Sequence, residues 1–191
     1  MRKASLLGFI CALAYVAGAT AQQSALQTAA STLGVGNLKT LQFNGSGRNF
    51  SVGQNYVPSD PWPAVPVKEF TATMNYDTAS MRVELLREMG NVMPRGGGAP
   101  FTGQQRQIQF VSGNYAWNMP APVPNAPAGG PAPQAAPNAG AQPERMLALW
   151  ATPQGFVKAA MANNATTRQA RGATEVSFTV GGKYKMTGTM R

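Results

Sequence analysis

Glu69-Phe70-Thr71-Ala72-Thr73-Met74-Asn75-Tyr76, followed after a short turn by Met81-Arg82-Val83-Glu84-Leu85, decides the fold class. In both stretches apolar and polar residues alternate one by one. Successive side chains of a strand point to opposite sides, so a period of two gives each segment one apolar and one wet face. The same period recurs outward from this pair. Leu41 and Phe43 alternate with Gln42 and Asn44, and Phe50 and Val52 follow Gly45-Ser46-Gly47. Ile108 and Phe110 alternate with Gln107 and Gln109, and Tyr115 and Trp117 follow Ser112-Gly113-Asn114. Val176, Phe178 and Val180 alternate with Ser177 and Thr179. Gly181-Gly182 then turns the chain into a returning strand, Lys183 to Met190, with Tyr184 and Met186 facing in. These are antiparallel strands covered on one side only.

Helical period appears in two places. Leu26, Ala29, Ala30 and Leu33 predict a short helix over 24–33, stopped by Gly34. Glu144 to Trp150 carries Met146, Leu147, Leu149 and Trp150. Thr152 then caps a second helix with Pro153 in its first turn and Phe156, Val157, Ala160 and Met161 on one face. Between the strands and these helices, Pro120 to Pro143 is almost only Pro, Ala, Gly, Asn and Gln, with eight prolines. Such a stretch cannot fund a core and reads as a disordered or polyproline-like insertion. Pro58 to Pro63 is an extended loop in which Trp62 reads as a brace, with a lid as the alternative, and Pro94 to Pro100 is a flexible hairpin connection. The helix near Phe156 and the sheet face of Phe70, Met74 and Tyr76 are expected to meet around a shared hydrophobic core.

The start of the chain sets the compartment. Met1-Arg2-Lys3 is basic, Leu6 to Ala19 is apolar, and Ala19-Thr20-Ala21 has the small-x-small form of a signal-peptidase site. The apolar run is about 14 residues against the roughly 20 of a span, and no basic stop-transfer cluster follows. Residues 1–21 therefore read as a cleaved signal, with an uncleaved anchor as the alternative, and 22–191 as a single β-rich domain in a periplasmic or secreted protein. Cleavage leaves 170 of the 191 residues, enough for one core.

Composition then removes chemistry. The only cysteine, Cys11, lies inside the signal, and there is no histidine. Ser-His-Asp and Cys-His nucleophilic sites need an imidazole base, and protein zinc sites draw on Cys and His. No Ser-x-x-Lys occurs. Gly182-Lys183 lacks the spacing of a phosphate loop, and Gly45-Ser46-Gly47-Arg48-Asn49-Phe50 misses the last glycine of a dinucleotide fingerprint and reads as a bulge or turn. Of the seven carboxylates, Glu84 and Glu88 are the pair with acid/base spacing, yet they sit on the wet face of a predicted strand. No catalytic residue, cofactor or metal is expected. Removing Arg2 and Lys3 from the 16 Lys and Arg leaves 14 against 7 Asp and Glu, a net +7 that suits anionic surfaces. The basic residues are scattered without interleaved aromatics, so nucleic acid is not an expected partner.

Leu41-Gln42-Phe43-Asn44-Gly45-Ser46-Gly47, Pro61-Trp62-Pro63, Val67-Lys68, Arg95-Gly96-Gly97-Gly98, Gly103-Gln104-Gln105-Arg106, Val111 to Asn118 and Trp150-Ala151-Thr152-Pro153-Gln154-Gly155-Phe156-Val157-Lys158-Ala159-Ala160 come in that order. Their combination resembles the region preceding the catalytic domain in a group of exported bacterial metallo-β-lactamase-fold hydrolases, from about Ala25 to Arg191. The resemblance implies that the family's chemistry lies in a later His-x-His-x-Asp-His motif, so no catalytic or metal residue carries over. It implies a fold similar to periplasmic lipoprotein carriers: α+β, a curved antiparallel half-barrel-like sheet of about eight strands, incomplete here, with a leading helix and two short helices on its concave face. The strand ending at Arg191 leaves an open edge, and a larger parent protein is the expectation.

Three functions follow. The first is a non-catalytic exported accessory domain or fragment of a metallo-β-lactamase-fold hydrolase-like protein, with a metallo-hydrolase domain as partner. The second is a periplasmic carrier of an apolar or acyl-chain ligand, lined by Phe70, Met74, Tyr76, Trp117, Trp150, Phe156 and Met161. The third is a cationic envelope-surface binder. None needs a membrane span after cleavage. Intact-mass spectrometry of the exported protein is expected to place its first residue at Gln22; a mass that retains Met1 selects the anchor.

Overall fold

The computed structural model describes residues 25–55, 57–89, 103–122 and 132–191. The signal segment, the Pro94 to Pro100 connection and the middle of the proline-rich stretch, 123–131, lie outside them. The fold is α+β. In chain order come helix α1 (25–32), strands β1 (Thr40–Phe50), β2 (Ala64–Asn75), β3 (Ser80–Glu88), β4 (Gln104–Ser112), β5 (Tyr115–Met119) and β6 (Ala136–Pro137), and a 3-10 turn at Ala139–Ala141. Helices α2 (Gln142–Trp150) and α3 (Pro153–Ala162) and strands β7 (Thr166–Ala170), β8 (Ala173–Val180) and β9 (Tyr184–Met190) complete it. β1 to β6 form one antiparallel meander and β7 to β9 another, and the described strands close no barrel. No described helix is long and apolar enough to cross a membrane. The chain divides into two compact units, Lys39–Leu149 and Trp150–Arg191 with the segment ending at Leu38.

In the central unit β2 governs the register. Against β3, Val67 faces Arg87 and Glu69 faces Leu86, so two steps along β2 match one along β3. Against β1, Phe70 faces Gly45 and Val67 faces Gly47, so three steps match two. β2 therefore carries one surplus residue at Lys68–Glu69, a β-bulge seen from both neighbours. The surplus explains a change of parity in the sequence. Val65 and Val67 are odd-numbered while Phe70, Ala72 and Met74 are even, yet the bulge puts all five on one face. Val65, Val67, Ala72 and Met74 are buried and Phe70 half-buried. The Gly45-Ser46-Gly47 stretch, read as bulge or turn, lies at this irregularity, and β1 continues through it to Phe50.

Ordered structure begins inside the segment expected to carry none. Pro137 and Ala136 pair with Trp117 and Asn118, and Asn138 N–H donates to the Ala116 carbonyl at 2.8 Å. A proline is tolerated there because β6 is an edge strand, where a missing donor faces outward. The Gln142 side chain then ties the start of α2 to the Gly113 carbonyl at 2.8 Å. In the long loop before β2, Trp62 is about half exposed and is not packed away as the expected brace would be.

The terminal unit follows the helical period. Gly34 ends α1 with φ 63°, and Val35 N–H reaches back to the Ala30 carbonyl at 3.0 Å, satisfying a carbonyl that the helix end leaves open. Ala30, Val35 and Val157 form one buried cluster with Leu26, Ala29 and Leu33 against it. The Thr152 hydroxyl accepts from Gly155 N–H at 3.0 Å and caps α3, as predicted. Ala159, Ala160, Val176, Phe178 and Val180 form the second cluster, with Trp150 and Phe156 packed on it. Phe156 meets Phe178 edge-on at 4.9 Å, and Gly188 lies beneath its ring: a Cβ there would come within 2.6 Å of Phe156.

Deleting Lys68 is expected to restore an even ladder and turn Val65 and Val67 to the other face. Chemical denaturation should read a loss of about 3 kcal/mol or more for two exposed valines. Lys68→Ala, which removes only an exposed ion pair with Glu88 (3.1 Å), should stay within about 0.5 kcal/mol of the parent.

Candidate functional site

Directly opposed residues of an antiparallel pair share a face, so the registers assign every side chain of the larger sheet. One face carries the rows Leu41–Met74–Met81–Val111–Ala116, Phe43–Ala72–Val83–Gln109–Asn118 and Gly45–Phe70–Leu85–Gln107. The other carries Thr73–Arg82–Phe110–Trp117–Pro137, Thr71–Glu84–Ile108–Met119 and Glu69–Leu86–Arg106. The apolar set thus changes sides between β3 and β4. On β1 to β3 it lies on the Met74 face; on β4 and β5 most of it lies on the Trp117 face. Alternation fixes which residues of one strand go together. It does not fix which of the two sets a neighbour aligns with them.

Each face is therefore half apolar and half polar. On the Met74 face, β4 contributes glutamines that bond in series. Gln109 Nε2 donates to Gln107 Oε1 and Gln107 Nε2 to Gln105 Oε1, both at 3.1 Å, and Arg87 Nε donates to Gln105 Oε1 at 2.8 Å. Burial pushes the Arg87 guanidinium below its ordinary value. At the β5 end stands Arg145 of α2, buried at 8% exposure. Its Nη1 donates to the Phe110 and Trp117 carbonyls at 3.0 and 2.9 Å, and its Nη2 to Asn118 Oδ1 at 2.7 Å. Burial pushes its pKa down while Glu144 pulls it up. The group remains a cation, bound to three neutral oxygens that span β4 and β5. Sequence reading took α2 for its apolar residues and passed over Arg145. An arginine one residue before an apolar helical run was the signal available.

The Trp117 face is more open. Phe110 and Trp117 stack in parallel at 5.2 Å, with the Arg82 guanidinium 5.9 Å over the Phe110 ring. Beside them Tyr115 is 76% exposed. Ser112, Tyr115, Ala116, Trp117 and Pro137 line an open cleft of about 430 Å³. Next to the aromatic row runs a charged one. Arg106 donates Nη2 to Glu69 at 2.9 Å and Nη1 to Glu84 at 2.8 Å, and Arg82 bonds the other oxygen of Glu84. The bonds to Glu69 and Glu84 raise the Arg106 pKa. Glu84 and Glu88, weighed as an acid/base pair, lie on this face of β3, and each is bound to a cation. Among the described residues no three His, Cys, Asp or Glu gather as a metal set.

The seven candidate lining residues are distributed as follows. Phe70 and Met74 share a face of β2, and Tyr76, buried just beyond it, donates its hydroxyl to the Met74 sulfur at 3.7 Å. Trp117 lies on the face opposite Phe70 and Met74. The cause is the change of side between β3 and β4. Trp150 and Phe156 pack on the terminal unit's core, and Met161 is half exposed on α3. Phe156 and the Phe70–Met74–Tyr76 group fall in different units. Compared with known proteins, the chain matches no family model, no curated protein and no solved structure.

Arg145→Ala takes the charged donor from two carbonyls that keep their ladder bonds and from the Asn118 amide oxygen, and is expected to cost about 1–3 kcal/mol in a denaturant titration. Arg145→Lys keeps the charge but loses the fork, and should fall between the two.

Proposed function

We propose that the chain is a non-catalytic exported accessory module of a metallo-β-lactamase-fold hydrolase-like protein, and that it holds its partner through the Trp117 face of the larger sheet. The observation that carries this reading is the open cleft of Ser112, Tyr115, Trp117 and Pro137, an exposed aromatic surface on a rigid sheet. Tyr and Trp are the residues that anchor protein contacts most often, because they bury much area at small entropic cost. The acid and base candidates support the non-catalytic part. With no histidine in the chain and Cys11 in the expected signal, seven carboxylates remain; Glu69, Asp77, Glu84, Glu88 and Glu175 are each engaged by Arg or Lys, which leaves Asp60 and Glu144, one on a loop and one on α2, outside these pairs. A general base needs a free carboxylate near the proton it takes.

Two assays test it. Purified protein supplied with zinc is expected to turn over no ester, amide, sulfate or β-lactam above buffer; turnover lost on Glu84→Gln would overturn the reading. Pull-down with a metallo-β-lactamase-fold domain should lose about 30-fold in affinity on joint Tyr115→Ala and Trp117→Ala, the usual cost of a hot-spot pair.

A further inference from the structure

β1 is an edge strand of 11 residues, exposed along its length except at Leu41. Among the described residues no strand pairs with its outer side. Two backbone bonds fix which residues point outward. Tyr76 N–H donates to the Lys39 carbonyl and Ser51 N–H to the Pro63 carbonyl, both at 2.9 Å, so odd-numbered residues bond toward β2. The N–H and C=O groups of Thr40, Gln42, Asn44, Ser46, Arg48 and Phe50 therefore face out.

Natural edges are blunted by proline, lysine or a bulge in the edge strand. β1 has no proline or lysine and a single charge, Arg48, two residues from its end, and the surplus residue sits in β2. Two of its residues are also unaccounted for. Gly45 and Gly47 have no left-handed φ, and a Cβ built on either meets nothing within 4 Å. Neither backbone conformation nor space demands glycine there. Glycine in a strand interior weakens the strand and often marks the close approach of another backbone.

We propose that the outer edge of β1 pairs with β1 of a second copy, antiparallel and centred on Gly45. This register is the one that matches all the outward groups: Thr40 with Phe50, Gln42 with Arg48 and Asn44 with Ser46 of the second copy. It sets Gly45 against Gly45 at the two-fold axis and Phe43 against Gly47, the arrangement in which an aromatic ring covers a strand glycine. No like charges oppose each other. The one charged residue of β1, Arg48, meets Gln42, whose Oε1 accepts from Thr73 at 3.2 Å and has a second lone pair to offer. The product is a continuous sheet across two copies.

Sedimentation velocity over a wide concentration range is expected to show the purified protein at twice the chain mass. N44K/S46K sets lysine against lysine in this register and should weaken dimerisation tenfold or more; N44E/S46K sets opposite charges together and should restore it. Both pairs alter exposed side chains only, so circular dichroism and the thermal midpoint should stay at the parent values. A parent protein that remains monomeric, a dimer unaffected by N44K/S46K, or a N44E/S46K dimer as weak as N44K/S46K would overturn the proposal.

Discussion

β2 holds one residue more than its neighbours can match. The ladder absorbs it at Lys68–Glu69, and every face assignment in the central unit follows from that point. Upstream, Val65 and Val67 turn to the side that Phe70, Ala72 and Met74 occupy downstream. Without the surplus residue one set or the other would face solvent, at a cost of about 3 kcal/mol or more, a large share of the margin by which domains are stable. The irregularity also bends the sheet locally, since a bulge increases twist where it falls.

From the same register comes the division of the sheet into apolar and polar halves that swap sides at β4. A fully apolar face would lack the Asn118 side chain, the one side-chain acceptor that Arg145 finds here. Here the guanidinium reaches the backbone carbonyls of Phe110 and Trp117 and the amide of Asn118, and fastens α2 to β4 and β5. On the other side, the residues displaced from the core form the stacked Phe110–Trp117 pair and the exposed Tyr115. The aromatic surface on which the functional reading rests is thus a consequence of strand alignment rather than of an added loop.

The strands were legible because alternation is a local property. Phe70, Ala72 and Met74 announce one strand, Ile108 and Phe110 another, and the cap of Thr152 announces α3. What alternation lacks is the phase between strands. Nothing in Ile108-Gln109-Phe110 tells whether the glutamine or its apolar neighbours align with Val83, so the sequence alone does not separate Trp117 from Phe70 and Met74. Composition misled in a second way. The run from Pro120 to Pro143 has almost no core-forming residues, but an edge strand needs none, so Ala136–Pro137 pairs regardless. Arg145 escaped notice because burial of a long cation depends on partners distant in sequence, Phe110 being 35 residues away.

Met119 ends β5 and Ala136 opens β6, and these two residues lie on paired strands of the same sheet. The tether between them starts and finishes at hydrogen-bonded backbone. Closing such a tether costs only the logarithm of its length, about 0.6 kcal/mol for a doubling. The alignment of β5 with β6 is thus held by the paired backbone on either side of the connection, and an engineer who splices a reporter or an affinity epitope there can read its effect from whether Trp117 still pairs with Pro137.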